Sequence, residues 1–158
     1  MTMRALVLAA PGRPLELREV PSPEPAPGQV LVEVIACAIC RTDLHILDGE
    51  LDRPTLPLIP GHQVVGTIGA VGDDVTDRRV GDLVGVPWLG WADGTCGYCT
   101  SGRENLCPDA RFTGYDLDGG YAERLVVDAR FCLPVPRGFE PVAATPLLCA
   151  GAIGYRAL

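Results

Sequence analysis

Residues 40–45 read Cys-Arg-Thr-Asp-Leu-His and residues 61–66 read Gly-His-Gln-Val-Val-Gly. These two stretches are the most informative part of the sequence for its fold and chemistry. Together they hold both of the histidines in a chain of 158 residues. Thiol and imidazole groups are preferred zinc ligands in proteins. In a chain with so few histidines, both histidines are expected to have a specific role. The two stretches therefore predict a single metal site.

A second group of metal ligands follows in the spacing Asp93-x2-Cys96-x2-Cys99-x7-Cys107. Ligands this close in the chain can surround a tetrahedral ion with little loss of chain entropy. Three free cysteines in a loop are the alternative, but chance seldom produces such spacing, so we predict a structural zinc. Asp93 is the unusual member, because one carboxylate with three thiolates is a less common ligand set than four thiolates.

Composition narrows the class of protein. The 19 glycines and 15 prolines favour short strands and turns over long helices. A net charge of −7 argues against a nucleic acid or an anionic membrane as partner. No segment resembles a membrane span or a signal peptide, so we expect a cytoplasmic protein. The cysteines number seven, which disulfides cannot pair completely, and clustered cytosolic cysteines favour metal or redox chemistry.

Hydrophobic patterning and turn residues predict a mainly β chain. Strands are expected over Met3–Ala9, Leu15–Val20, Val30–Cys37, Val64–Val71, Val80–Val86 and Tyr121–Val127. Other elements are expected to be a short helix over Asp43–Leu47 with Thr42 as its N-cap, a long irregular lobe over Trp88–Asp109, and an apolar helix over Ala143–Leu158.

Two questions stay open at the level of residues. Cys37 and Cys40 have the spacing of a thiol redox pair, but they lack the strand and helix setting of such pairs. A catalytic zinc needs three protein ligands and one open position. Cys40 and His62 are the first two candidates; Cys149 is the preferred third, although spacing alone does not select it over Cys132.

Together the motifs resemble the zinc-dependent alcohol dehydrogenases of the medium-chain dehydrogenase/reductase superfamily. The family signature G-H-E-x2-G-x5-[GA]-x2-V is matched by Gly61, His62, Gly66, Gly72 and Val75, and the Cys40–His45 run is matched in full. The resemblance covers essentially all of residues 1–158. It implies the GroES-like catalytic domain, a partly open, mainly β barrel with short helices and a structural-zinc lobe at about residues 88–109.

The resemblance also implies the metal ligands. Cys40, His62 and Cys149 would hold a catalytic zinc. Asp43 would accept a hydrogen bond from His62 and so orient its imidazole. The structural zinc would take Asp93, Cys96, Cys99 and Cys107, which makes two zinc ions per chain.

Further implied roles concern the reaction. Thr42 would take the hydroxyl proton of the substrate and pass it through the cofactor ribose to His45. Arg41 would pair with the cofactor pyrophosphate. Trp88 would line the substrate pocket, although a core aromatic is an equally good interpretation of it.

The chain departs from the family pattern in three respects. Gln63 replaces the usual glutamate beside His62, from which we expect slower turnover or altered product release, but no loss of zinc. Asp93 replaces the first structural cysteine. No G-x-G-x-x-G turn follows a strand, and Gly69–Gly72 and Gly151–Gly154 are only partial matches. We therefore expect the Rossmann domain that binds NAD or NADP to be missing, and the chain alone to bind zinc and oxidise no alcohol.

The favoured function is thus the catalytic domain of an enzyme that interconverts small alcohols with aldehydes or ketones. The rivals are a standalone, non-enzymatic zinc-binding domain, a decayed gene product, and a thiol redox module. The expected partners are the missing Rossmann domain and, through the apolar Ala143–Leu158 end, further copies of the chain in a homo-oligomer.

Overall fold

The computed structural model describes all 158 residues. Its strands are β1 (Thr2–Val7), β2 (Glu16–Pro21), β3 (Gln29–Cys37), β4 (Val64–Val71), β5 (Leu83–Val86), β6 (Leu89–Trp91), β7 (Arg111–Phe112), β8 (Arg124–Asp128) and β9 (Leu133–Pro134). Its α-helices are α1 (Arg41–Asp48), α2 (Pro141–Ala144) and α3 (Ala150–Arg156). None of the helices has the length and hydrophobicity needed to span a membrane. The mainly β prediction is confirmed.

A five-stranded antiparallel sheet in the order β8-β3-β4-β5-β9 forms the centre of the molecule. Two antiparallel ribbons, β1–β2 and β6–β7, complete an open barrel-like arrangement. The main core is made largely of branched apolar side chains from the central sheet, namely Val30, Val32, Val64, Ile68, Val84, Val86, Leu125 and Val127. These β-branched and leucine side chains pack well on a pleated surface, which explains why the sheet forms here.

The predicted strands agree with the structure at β1 to β4 within two residues, but two others begin three residues later than predicted. β5 starts at Leu83 because residues 79–82 form a turn, in which Asp82 accepts the Arg79 N–H and Gly81 adopts a φ of 90°. β8 starts only at Arg124 because the Tyr121 carbonyl accepts the Leu6 N–H of β1, and the Glu123 N–H donates to Arg4 of β1 while its carbonyl accepts the Val34 N–H of β3. At β5 a local turn sets the boundary, whereas at β8 long-range pairing, which the local pattern does not contain, sets it.

The helix α1 begins earlier than predicted, and Thr42 is not its N-cap. Cys40 is the N-cap residue, with an extended backbone, and Asp43 at the third helical position accepts its N–H at 2.8 Å. This is the reciprocal arrangement of a capping box, in which an acidic side chain near the helix start satisfies a free backbone donor. The helix therefore carries Cys40 at its first turn.

Two other predicted segments differ from expectation: the lobe contains regular elements, and the C-terminal apolar segment is an interrupted helix. The Trp88–Asp109 lobe contains β6 and two 3₁₀ turns at Cys99–Ser101 and Glu104–Leu106. The Ala143–Leu158 segment is not one helix, since a 3₁₀ turn over Thr145–Leu148 separates α2 from α3. Pro146 explains this break, because it has no N–H to donate to a preceding helical turn.

Candidate functional site

The fold brings Cys40, His62 and Cys149 together, with their ligand atoms within 4.8 Å of one another. Cys40 stands at the start of α1, and His62 lies in the loop that leads into β4. Cys149 joins the 3₁₀ turn at Thr145–Leu148 to α3. Cys132, the alternative third ligand, lies fully buried in the core of the central sheet and is not part of this cluster.

The geometry of this cluster fits a tetrahedral zinc ion. The sulfur atoms of Cys40 and Cys149 lie 3.8 Å apart. Two thiolates at the usual Zn–S distance of about 2.3 Å on a tetrahedral centre are separated by about 3.8 Å. The Nε2 atom of His62 is buried and has no hydrogen-bond partner, which is costly unless a metal or another group uses its lone pair.

The carboxylate of Asp43 holds two of these residues in place. Its Oδ1 lies 3.0 Å from Nδ1 of His62, and its Oδ2 accepts the backbone N–H of Cys40. Burial alone would lower the pKa of His62, but the hydrogen bond to Asp43 outweighs it and the pKa is raised. Because Nδ1 carries the proton shared with Asp43, Nε2 is left to coordinate a metal.

The two thiols of the cluster differ in acidity. Burial raises the pKa of Cys149 to about 11, and the neighbouring Cys40 adds to this effect. Burial also acts to raise the pKa of Cys40, but hydrogen bonds with the backbone and hydroxyl of Thr42 outweigh it and the pKa is lowered. Of the two thiols, Cys40 is therefore the one whose thiolate, the form that binds metals, is favoured by its surroundings.

Gly61 fixes the backbone before His62. Its φ is 98°, and a Cβ atom there would lie 2.6 Å from Tyr121 Cδ1 and 2.9 Å from Cys37 Sγ. Both the dihedral angle and the contacts require glycine. Cys37 thus packs behind the loop, outside the ligand cluster, and burial raises its pKa to about 12. This placement does not favour a redox pair of Cys37 and Cys40, since the sulfur close to Cys40 is that of Cys149.

Aromatic side chains flank His62. The Trp88 ring meets the imidazole edge-on at a centroid distance of 4.9 Å. Trp88 also stacks on Phe112 at 5.0 Å and contacts Tyr115. Trp88 is partly buried, so it packs against the core while one side of its ring contacts His62.

The other predicted site residues lie along or near α1. The Thr42 hydroxyl is 3.8 Å from the sulfur of Cys40, and Arg41 is exposed. His45 Nδ1 contacts the carboxylate of Glu50. The sequence analysis did not identify Glu50. Gly49 was the available signal, because a glycine that ends a helix lets the next residue fold back against the last helical turn, which contains His45.

Gln63 is almost completely buried beside His62. Its Oε1 atom is buried with no hydrogen-bond partner. A buried amide oxygen without a hydrogen-bond donor is unusual. Gln63 is therefore an unsatisfied polar residue directly after His62 in the chain.

The lobe after β6 holds the second cluster, whose four ligand atoms also lie within 4.8 Å of one another: Asp93, Cys96, Cys99 and Cys107. Oδ1 of Asp93 accepts the N–H groups of Cys96 at 2.8 Å and Thr95 at 2.6 Å. These two hydrogen bonds hold the pKa of the carboxyl well below its usual range. Asp93 is thus ionised and fixed, with Oδ2 left free to act as a ligand.

Arg130 ties the second cluster to the central sheet. Its guanidinium donates to the Ala92 carbonyl at 3.0 Å and forms a bidentate pair with Asp128 at the end of β8. The lobe is therefore anchored on one side, next to Asp93, by a charged hydrogen-bond network.

Residues 26–137 match the family described as the alcohol dehydrogenase GroES-like domain. A probable alcohol dehydrogenase from Mycobacterium tuberculosis is 47% identical over 168 residues, which cover 99% of this chain and 48% of that protein. The chain therefore spans about half the length of the curated relatives that it matches.

Solved structures agree with this relationship. A cinnamyl alcohol dehydrogenase from Sorghum bicolor superposes with a TM-score of 0.89 at 34% identity, over 99% of this chain and 47% of that one. A cobalt- and zinc-bound thermostable alcohol dehydrogenase from Pyrobaculum aerophilum gives 0.88 at 30% identity, over 99% and 49%. The predicted GroES-like fold is confirmed.

Proposed function

Because this chain belongs to the alcohol dehydrogenase GroES-like domain family of the zinc-type medium-chain dehydrogenases/reductases, we propose that it is the catalytic domain of an NAD(P)-dependent alcohol dehydrogenase. Its substrates would be small primary or secondary alcohols and the matching aldehydes or ketones. The domain would occupy residues 1–158, with the structural-zinc lobe at about residues 88–109. A nucleotide-binding domain would supply the other half of the active site.

One observation carries this proposal, namely the convergence of Cys40, His62 and Cys149 around the unpartnered Nε2 atom of His62. Two thiolates and a neutral imidazole leave one tetrahedral position for a substrate oxygen. A zinc ion held there would act as a Lewis acid and make a hydroxyl proton easier to remove. A nicotinamide cofactor would accept the hydride, which is chemistry that side chains cannot supply.

The residues of the chain would then bind, orient and move a proton. The Thr42 hydroxyl, 3.8 Å from the sulfur of Cys40, is placed to accept the proton of an alcohol beside the metal ligands. His45, three residues further along α1, would hold that proton after transfer, and its partly exposed ring can release it to water. Trp88 would keep water away from the reacting carbon.

The cofactor and second-cluster roles are part of the same proposal. Exposed Arg41 at the start of α1 is free to meet a pyrophosphate. Asp93, Cys96, Cys99 and Cys107 would hold a structural zinc, which makes two zinc ions per chain. Because four protein ligands close a tetrahedral site without an open position, this second ion would hold the lobe and take no part in the reaction.

Gln63 would modify the rate. The usual glutamate at this position is charged, whereas the Gln63 amide is neutral and its buried Oε1 lacks a donor. We expect the replacement Gln63→Glu to raise turnover of the natural gene product without changing its zinc content. An unchanged rate would remove Gln63 from the account of the reaction.

Metal content tests the ligand assignment. Native mass spectrometry of the zinc-loaded chain should show two zinc ions, and Cys149→Ala and Cys107→Ala should each lose one. The matched control is Cys132→Ala, because Cys132 is buried in the core away from both clusters and its loss should leave both ions in place. Two ions retained by Cys149→Ala would reject the proposed catalytic site.

Activity tests the function itself. The natural product of the gene should be about twice the mass of this chain and should reduce NAD or NADP when given ethanol, 2-propanol or cinnamyl alcohol. Cys149→Ala in that protein should abolish the reaction. A natural product of 16.7 kDa that binds zinc and oxidises none of these alcohols would contradict the proposal and favour a non-enzymatic zinc-binding domain.

A further inference from the structure

The end of α1 folds Glu50 back beside His45. Gly49 ends the helix in the left-handed conformation, with φ 76° and ψ 21°. The backbone N–H of Glu50 then donates to the carbonyl of His45 at 2.9 Å, the six-to-one bond of a Schellman motif. The backbone alone therefore holds residue 50 next to residue 45, independently of any side-chain contact.

The side chains of the same two residues are also in contact. The Glu50 carboxylate lies against Nδ1 of His45, and no other hydrogen bond reaches the His45 ring. A carboxylate has no proton to donate when ionised, so the ring must donate its Nδ1–H. The hydrogen bond on one ring nitrogen decides which tautomer a histidine adopts.

We propose that Glu50 is a positioning residue of the dehydrogenase reaction, in that its carboxylate holds the His45 ring in the Nδ1–H tautomer and leaves Nε2 as the proton acceptor. This inference rests on the proposed function. Without Glu50, the neutral ring would exchange freely between its two tautomers. In one of them Nε2 already carries a proton and cannot accept another.

The proton balance is simple. A neutral His45 ring with its proton on Nδ1 receives the incoming proton on Nε2 and becomes a cation. The ionised Glu50 carboxylate stabilises that cation through the existing Nδ1–H hydrogen bond. Water then removes one proton, and the ring returns to the neutral Nδ1–H form. The side chains of His45 and Glu50 are 35% and 51% exposed, so water reaches both.

Nitrogen NMR of the labelled chain tests the proposal directly. Because the chain has only two histidines, a His45→Asn variant assigns the two rings. At a pH where imidazole side chains are neutral, the His45 ring should be mainly in the Nδ1–H form. In Glu50→Ala the ratio of Nδ1–H to Nε2–H should fall by about two- to fivefold, the range expected for an exposed charged pair.

Two further variants separate positioning from a general effect of charge. Asp48→Ala removes an exposed acid from the last position of α1 that makes no hydrogen bond to His45, and should leave the ratio unchanged. Glu50→Gln keeps an acceptor oxygen without the charge and should give an intermediate ratio. A mainly Nε2–H ring in the unmodified chain, or a ratio unaffected by Glu50→Ala, would overturn the proposal.

The NMR measurement needs neither alcohol nor cofactor. It can therefore fail while the alcohol dehydrogenase assignment stands. The activity measurement on the natural gene product can likewise fail while Glu50 still fixes the tautomer of His45, so the two failures are distinguishable.

Discussion

The Oδ1 atom of Asp43 lies 3.0 Å from the Nδ1 atom of His62, and the two side chains are only 2% and 0% exposed. A buried carboxylate is costly unless charged or polar partners surround it. Here it has two partners, because its second oxygen accepts the N–H of Cys40. Asp43 therefore holds His62 and Cys40 in the arrangement that the proposed metal site requires.

Replacing Asp43 by Asn should weaken zinc binding at the Cys40–His62–Cys149 site by about 10- to 100-fold, the usual effect of removing such a supporting hydrogen bond. Competition with a chelator, followed by native mass spectrometry, measures this loss ion by ion. Asp48→Asn is the control, because it makes the same change on an exposed residue of α1. Equal zinc affinity in Asp43→Asn and the unmodified chain would show that Asp43 does not support the site.

The carboxylate of Asp93, the proposed oxygen ligand of the second cluster, gives a prediction in which one replacement tightens zinc binding and another weakens it. Asp93→Cys should slow zinc release from the lobe, because a fourth thiolate binds zinc more tightly than a carboxylate. Asp93→Ala should speed release, since it removes a ligand and also the acceptor for the Cys96 and Thr95 N–H groups. Release can be followed with a colorimetric zinc indicator.

The control for this pair of variants is Asp109→Ala, an exposed acid in the same lobe that lies outside the ligand cluster. Asp109→Ala should release zinc at the rate of the unmodified chain. If Asp93→Ala also releases zinc at that rate, Asp93 is not a ligand.

The backbone at Gly61 allows a test of the loop that carries His62. Gly61→Ala should destabilise the chain by about 3–5 kcal/mol, because the positive φ and the clash with Tyr121 act together. Gly12→Ala is the matched control, since its φ is also positive, at 72°, but nothing lies within 4 Å of an added Cβ. It should cost about 1–2 kcal/mol. Urea unfolding of the zinc-loaded proteins compares the two, and equal losses would show that the Tyr121 contact is unimportant.

A surface ion pair predicts a pH dependence of stability. Hydrogen bonds from the Arg4 backbone N–H and guanidinium hold the pKa of Glu123 below its ordinary value. Since the folded pKa is lowered, the stabilisation is present above the unfolded pKa of about 4.3 and is lost as the pH falls through the folded pKa. The urea midpoint of Glu123→Gln should therefore lie below that of the unmodified chain at neutral pH.

At acidic pH the two midpoints should converge. Zinc release at low pH affects both proteins, so only the difference between their midpoints reports on Glu123. A difference that stays constant from neutral to acidic pH would contradict the role of the carboxylate charge.

Much of the fold could be predicted from local patterns. The strands over residues 64–71 and 29–37 lie in apolar runs bounded by turn residues, and the structure places β4 and β3 there. The helix start was wrong, because the cap depends on which backbone donor Asp43 reaches. The predicted Ala143–Leu158 helix was wrong as well, since apolar composition cannot show where Pro146 breaks the hydrogen-bonding pattern.

The sequence by itself determined the family, the chemistry of the ligands and the compact Asp93–Cys107 cluster, because these depend on residue types at short spacings. Only the tertiary structure decided between Cys149 and Cys132 as the neighbour of Cys40. Cys149 is 109 positions from Cys40 along the chain, and no local pattern encodes a contact over that separation. Cys132 is buried in the core of the central sheet, whereas the turn before α3 places Cys149 beside Cys40.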